Sequence, residues 1–390
     1  MEGNRSVYIR ILPICCFLSV LSQLPVFVQY GYSSVVAQGI WLFFTLVLLL
    51  CERRVVIIKP LLLTFICSIV FTIFVFVMDI SGTMYSSTNL YRSFMLSTFI
   101  FIIGCNINIK NLSVIEKICN AYGYGTIILS MSIYYQYLRG NSITEKEYLY
   151  GSKNSAAIII LTGIIALSVF VYKRNTLSKL LRIIIILFQV IVIALMKCRS
   201  ALVALMLVVF YCIYVANISK KYKFVLTILC VAFLLSLMND NVYYIVVENV
   251  FAVGRTNDLD SLSGGRMSGY LSFFDDMSGK WVFGDGFTFR ESLPLALFLK
   301  YGLFIGLLVL GYAYWPFFFC IKHLRKIRKR ECLFLILINI VYVSNSIFEQ
   351  LSPFGPGVRC FMLWLVFGIV LRNMDVVFSN NSLEMDTTYE

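Results

Sequence analysis

Histidine and charge are both scarce in this 390-residue chain: it has one His, and Asp, Glu, Lys and Arg together make up only 14% of it. Soluble globular proteins carry roughly 25% charge, so the composition points away from an ordinary water-soluble fold. The sole histidine, His323, lies in the basic run IKHLRKIRKR. That excludes a His-based metal centre and a His-dependent catalytic triad. The twelve cysteines form no C-x-x-C pair and no regular disulfide spacing; most fall inside apolar stretches, where they act as small fillers. Walker and G-x-G-x-x-G phosphate loops are missing, and no soluble ATPase segment is present. ATP-driven pumping is therefore unsupported, and no cofactor or metal is expected.

What is abundant is apolar residue, 60% of the chain, with a mean hydropathy of +0.86. It comes in runs separated by short polar pieces. A bilayer core about 30 Å thick needs roughly 20 helical residues at 1.5 Å each. On that measure twelve spans are expected, near 10–28, 34–51, 59–78, 94–109, 119–137, 155–172, 179–196, 201–217, 224–239, 296–319, 332–347 and 358–371. The first follows Arg5 and Arg10 but lacks a small-residue cleavage site, so it reads as a retained helix. The expected fold class is an all-α polytopic membrane protein. Its parts would be membrane helices 1–9 with short loops over 1–238, a long outer loop over 239–295, helices 10–12 over 296–372, and a tail over 373–390.

The net charge of +13 orients this arrangement. With the amino terminus in the cytoplasm, the inner side holds 21 basic and 8 acidic residues and the outer side 12 and 12. All the excess falls on one face, as the positive-inside rule requires. Both termini are therefore expected in the cytoplasm. Attraction to an anionic inner leaflet accounts for the basic loops, and no nucleic-acid partner is implied.

Candidate chemistry then belongs to the outer face. In KCR at 197–199, Lys197 and Arg199 occupy a very short connection between two apolar helices. Such charges either snorkel to the interface as anchors or face a polar cavity and bind an anion. The long loop contains VGRTNDLDSLSGGRMSGYLSFFDDMSGKWVFGDGF. There Arg255 and Arg266 each follow a glycine, and arginine's planar fork suits bidentate phosphate recognition. Asp258, Asp260, Asp276 and Asp285 are candidate bases for activating a hydroxyl, each with the plainer reading of a solvated loop carboxylate. GDG at 284–286 marks a sharp turn in which Asp285 either caps the backbone or faces substrate. Trp281 serves as an interfacial anchor or as a stacking face for a sugar. A last outer loop, NSIFEQLSPFGPGVR, holds Glu349 and Arg359 and is ordered by its prolines.

The segments CRSALVAL at 198–205, GGRMSGY at 264–270, WVFGDGF at 281–287 and the following LPLALFLKYGLFIGLLVLG resemble the bacterial O-antigen and capsular polysaccharide polymerases. These Wzy-type proteins belong to the wider O-antigen polymerase and ligase group. The likeness covers roughly residues 195–370; the first half is similar mainly in layout. It implies an inner-membrane, GT-C-like glycosyltransferase architecture. The implied activity is polymerisation of undecaprenyl-diphosphate-linked repeat units at the periplasmic face, for lipopolysaccharide or capsule biosynthesis. On that likeness Arg199 and Arg266 would engage the diphosphate, with Arg255 and Arg290 as companions; Lys197, Trp281 and Arg359 are further substrate-binding candidates read from the residues themselves. A chain-length regulator and a flippase would be partners. The pattern departs from the ligases, whose outer-face histidine has no counterpart here. Two alternatives stay open: a lipid-linked oligosaccharide flippase or other polytopic transporter, and a ligase-like glycosyltransferase.

Overall fold

The computed structural model describes residues 2–52, 55–81, 88–141, 143, 153–170, 176–216, 218–251, 260, 266–325, 327, 329–355 and 360–378. All regular structure among them is helical. Two populations of apolar helix separate by what surrounds them.

The first is buried in protein. In the Lys153–Val169 helix every residue from Ser155 to Leu167 is buried, and it packs against Ser113–Leu138, Thr176–Leu195, Arg199–Tyr214 and Arg330–Ser346. Helices that are apolar all round belong in such interiors. Close approach depends on missing side chains: a Cβ on Gly163 would stand 2.0 Å from Thr126 Oγ1. The Phe361–Arg372 helix is likewise enclosed, crossing Thr88–Asn106 where Gly368 meets the Phe101 carbonyl and Gly104 meets that of Leu365. Small-residue crossings of this kind let two backbones touch. Asn373 ends the element, donating to Ile107 O at 2.9 Å and accepting from Ile109 N–H at 2.9 Å.

The second population is apolar yet faces outward. Ser33–Glu52, Lys59–Ile80 and Leu177–Leu195 are long and apolar enough to cross a membrane, and their apolar windows are only 22%, 28% and 22% buried. The fourth such helix, Leu293–Leu324, is 56% buried. A bent pair, Lys220–Ser236 and Asp240–Glu248, would make a fifth if it forms one span. Exposed apolar surface on this scale marks contact with lipid or a partner, and these helices associate the chain with a membrane.

This corrects the expected twelve-span architecture. Among the described residues four helices, or five with the bent pair, are long and apolar enough to span. Val7–Leu21, Lys153–Val169, Arg199–Tyr214 and Phe361–Arg372 are apolar but have 17 residues or fewer. At 1.5 Å per residue that gives at most about 25 Å, short of the hydrocarbon core. Thr88–Asn106 and Ser113–Leu138 are long enough but interrupted by polar residues. A window of hydropathy responds to an apolar run in the same way whether protein or lipid encloses it, which is why the runs were overcounted. The GT-C-like layout and the polymerase architecture implied by the family likeness go with that count.

Candidate functional site

The helix Leu293–Phe319 is discontinuous. Gly302 has φ 73° and ψ −179°, dividing it into a half-helix up to Tyr301 and a longer piece after it. The break exposes carbonyls that a continuous helix would satisfy, and the WVFGDG turn supplies their partners. Asp285 N–H donates to Leu299 O at 2.8 Å and Gly286 N–H to Lys300 O at 3.0 Å, while Leu303 N–H returns to Trp281 O at 2.8 Å. Contact this close requires glycine on both sides. A Cβ on Gly302 would lie 2.1 Å from Val282 O, and one on Gly284, with φ 69°, would lie 2.3 Å from the Lys300 carbonyl carbon.

Asp285 organises that turn. Its carboxylate accepts from Phe287 N–H at 3.1 Å, Thr288 N–H at 2.9 Å, the Thr288 hydroxyl, and Lys280 Nζ at 2.9 Å. Burial works against the charge, but these donors outweigh it and hold the carboxyl below its usual range. Trp281, partly exposed, stands 6.4 Å from the Phe274 ring.

An open cleft of about 200 Å³ lies at the amino-terminal end of the half-helix, lined by Arg266, Gly269, Phe289, Arg290, Glu291, Ser292 and Leu295. Ser292 is the residue immediately before the helix and Leu295 is in its first turn. The helix dipole therefore contributes positive potential to the same space as two guanidinium groups. Both arginines are held by carboxylates. Arg266 donates to Glu291 and, at 3.2 Å, to the Phe348 carbonyl of the segment after the Arg330–Ser346 helix, with its guanidinium 5.9 Å from the Phe348 ring centroid. Arg290 donates to Asp276, which also accepts from Ser272 Oγ at 3.0 Å. The Arg290 pairing holds the Asp276 carboxyl below its usual range, so Asp276 is ionised and a weak base near neutral pH. The Nε of Arg290 is buried and makes no hydrogen bond among the described residues.

Arg266 opens a short helix, Arg266–Leu271. Asp260 accepts from Ser268 N–H at 2.7 Å, stabilising that helix's amino terminus. Arg199 begins the Arg199–Tyr214 helix after a turn in which Lys197 takes φ 52°, a left-handed conformation unusual for a side-chain-bearing residue. The adjacent Cys198 is buried and its thiol donates to Asn154 Oδ1 at 3.2 Å; the Asn154 amide in turn donates to Glu349. Glu349 follows Phe348, the Arg266 partner. Contacts thus join the KCR turn, the start of the Lys153–Val169 helix, the Phe348–Glu349 segment and the Arg266 cleft. Arg255, Asp258 and Arg359 lie outside the described residues.

Sequence reasoning overlooked three groups. Asn154, linking Cys198 to Glu349, has no distinctive local signal. Lys300, only 4% exposed on the half-helix, was read as part of an apolar span. Arg182 is also 4% exposed. It donates to Phe170 O at 3.1 Å, Leu167 O at 3.5 Å and Asn120 Oδ1 at 3.0 Å, occupying the carboxyl end of the Lys153–Val169 helix. A cation is favoured there. His323 stacks beside Phe319, its ring centroid 4.7 Å away. Among the described residues no group of three or more His, Cys, Asp or Glu is arranged to hold a metal.

No protein family matches this chain, and none of the curated proteins is similar to it. The likeness to Wzy-type polymerases rested on short arginine and glycine segments within a twelve-span layout. With four or five candidate spans and no family match, that assignment is withdrawn. The polymerisation of undecaprenyl-diphosphate-linked units and the lipopolysaccharide and capsule roles drawn from it are withdrawn as well.

Proposed function

We propose that this chain is a polytopic membrane transporter of the flippase class, moving an anionic, lipid-linked saccharide across the bacterial inner membrane. The observation that carries the reading is the two-arginine cleft at the amino end of a helix that breaks at Gly302, about 13 Å further along its axis. Helix amino ends serve as anion sites, in transporters among other proteins, because their free N–H groups and dipole favour negative charge. Here the positive helix end, Arg266 and Arg290 converge on a space suited to a phosphate-sized group. Glu291 and Asp276 neutralise the arginines when the cleft is empty and are displaced from them as the anion arrives. The outward-facing apolar helices accommodate the lipid tail.

The test is translocation in proteoliposomes. A fluorescent, phosphate-linked polyprenyl saccharide is placed in one leaflet and its arrival in the other is read with a membrane-impermeant quencher. Wild type accelerates exchange, and the Arg266→Gln, Arg290→Gln double variant reduces it about tenfold or more, the loss of charge-assisted contacts each worth about 1.5–3 kcal/mol. Covalently elongated saccharide without exchange would instead identify a transferase and overturn the proposal.

A further inference from the structure

The loop that caps the helix break presents an apolar outer surface. Val282, Phe283, Phe287 and Phe289 are all more than half exposed. Asp285 turns inward, its side chain only 8% exposed and paired with Lys280. The segment therefore hides its carboxylate and shows hydrocarbon, the reverse of a loop built for water.

Its position explains the inversion. The Phe283 ring stacks on Phe74 of the Lys59–Ile80 helix, with centroids 6.5 Å apart and planes 18° from parallel. Phe74 lies six residues before the end of that helix, about 9 Å along its axis at 1.5 Å per residue. Tyr301, at the break, packs at the same level, 5.0 Å from Phe71 and 6.3 Å from Phe74. On either side of Phe74 the helix exposes Ile73, Phe76, Val77 and Ile80. The exposed face of the loop is thus continuous with the face of a candidate span, short of that span's carboxyl-terminal end. Irregular backbone at such depth persists only where its hydrogen bonds are met within the protein, and the three bonds between the WVFGDG turn and the broken helix meet them.

We infer that the Trp281–Phe289 loop is a membrane-seated wedge, its Val282, Phe283 and Phe287 side chains lying among acyl chains near the boundary of the bilayer at the Ile80 end of that span. Trp281 and Lys280 occupy the headgroup level above them, the arrangement of interfacial aromatic and snorkelling residues. The wedge would bring the cleft to the membrane surface, so that a lipid-borne anion reaches Arg266 and Arg290 laterally. It rests on the proposed reading in one respect, that Lys59–Ile80 crosses the membrane.

Photocrosslinking of the full chain in proteoliposomes tests it. Benzoylphenylalanine replaces Phe283, or Phe287 as a second site, and adducts with phospholipids carrying radiolabelled acyl chains are counted. Phe76, on the exposed face of the span, is the positive reference, and Asn111, on an exposed loop, the aqueous one. Lipid adducts at 283 and 287 close to those at 76 and about tenfold above those at 111 are expected for side chains at acyl depth. Adducts to protein at 283 and 287, from a second copy or another partner, would overturn the wedge, as would aqueous-level yields while 76 still labels. Failure at 76 as well removes the span itself and the wedge with it, and so identifies which premise was at fault.

Discussion

Lys153–Val169 and Lys59–Ile80 are both apolar along nearly their whole lengths, yet one is enclosed by protein and the other presents most of its surface outward. The difference lies in what the partners require. The enclosed helix carries Gly163 against Thr126, Thr162 facing the Tyr342 hydroxyl at 3.2 Å, and Arg182 over its carboxyl end. The outward helix has bulky Ile, Val and Phe side chains around its exposed face and makes its close contacts along one stripe, at Leu61, Thr64, Ser68 and Phe71. Apolarity determines that a helix avoids water; small residues and directed polar contacts determine that it packs against protein.

The contrast breaks most visibly at Gly163. A valine there meets the buried Thr126 side chain, and overpacking of this kind costs about 3 kcal/mol. It is expected as a large fall in the thermal midpoint of the purified protein in detergent. At Gly302 alanine combines a strained φ with a clash against the Val282 backbone, together costing about 3 kcal/mol or more. Its effect should reach the cleft, weakening anion binding, whereas Gly163→Val should not. Arg182→Leu comes next, leaving two carbonyls and the Asn120 side chain without their donor, a loss of about 2 kcal/mol; Arg182→Lys should restore part of it.

Acid gives a smaller effect, confined to the segment that holds Asp276 and Asp285. Folding holds Asp276 and Asp285 below their ordinary range. Their contribution is complete above the unfolded value, about 3.9, and is lost as pH falls through the lower folded values. Stability should therefore decline below about pH 4, with Asp285→Asn flattening that part of the profile. The smallest change is expected on the outward face, where Ile69→Ala should shift stability by about 0.5 kcal/mol or less. An effect there equal to that of Gly163→Val would erase the distinction between the two helices.

The positions of the apolar helices were legible in the chain: runs at 34–51, 59–78 and 296–319 correspond to Ser33–Glu52, Lys59–Ile80 and Leu293–Phe319. Their surroundings were not, because enclosure depends on residues far apart in sequence, such as Gly104 against Gly368. Within the site, Arg266 and Arg290 stood out as charges in an outer loop, and GDG as a turn. Nothing local predicted that this turn would complete a broken helix, since Gly302 interrupts an otherwise uniform apolar run. Arg182 was read as one more basic loop residue, although the IIIILF following it signals that it begins inside a helix.

The central claim is that the positive end of the half-helix and its two arginines bind the anionic head of a lipid-linked saccharide. Calorimetric titration of a phosphate-linked polyprenyl saccharide into the protein in nanodiscs tests it most directly. Affinity should fall about tenfold or more in Arg266→Gln, Arg290→Gln and weaken with added salt in the wild type. Equal affinity in both proteins, with no dependence on salt, would contradict it.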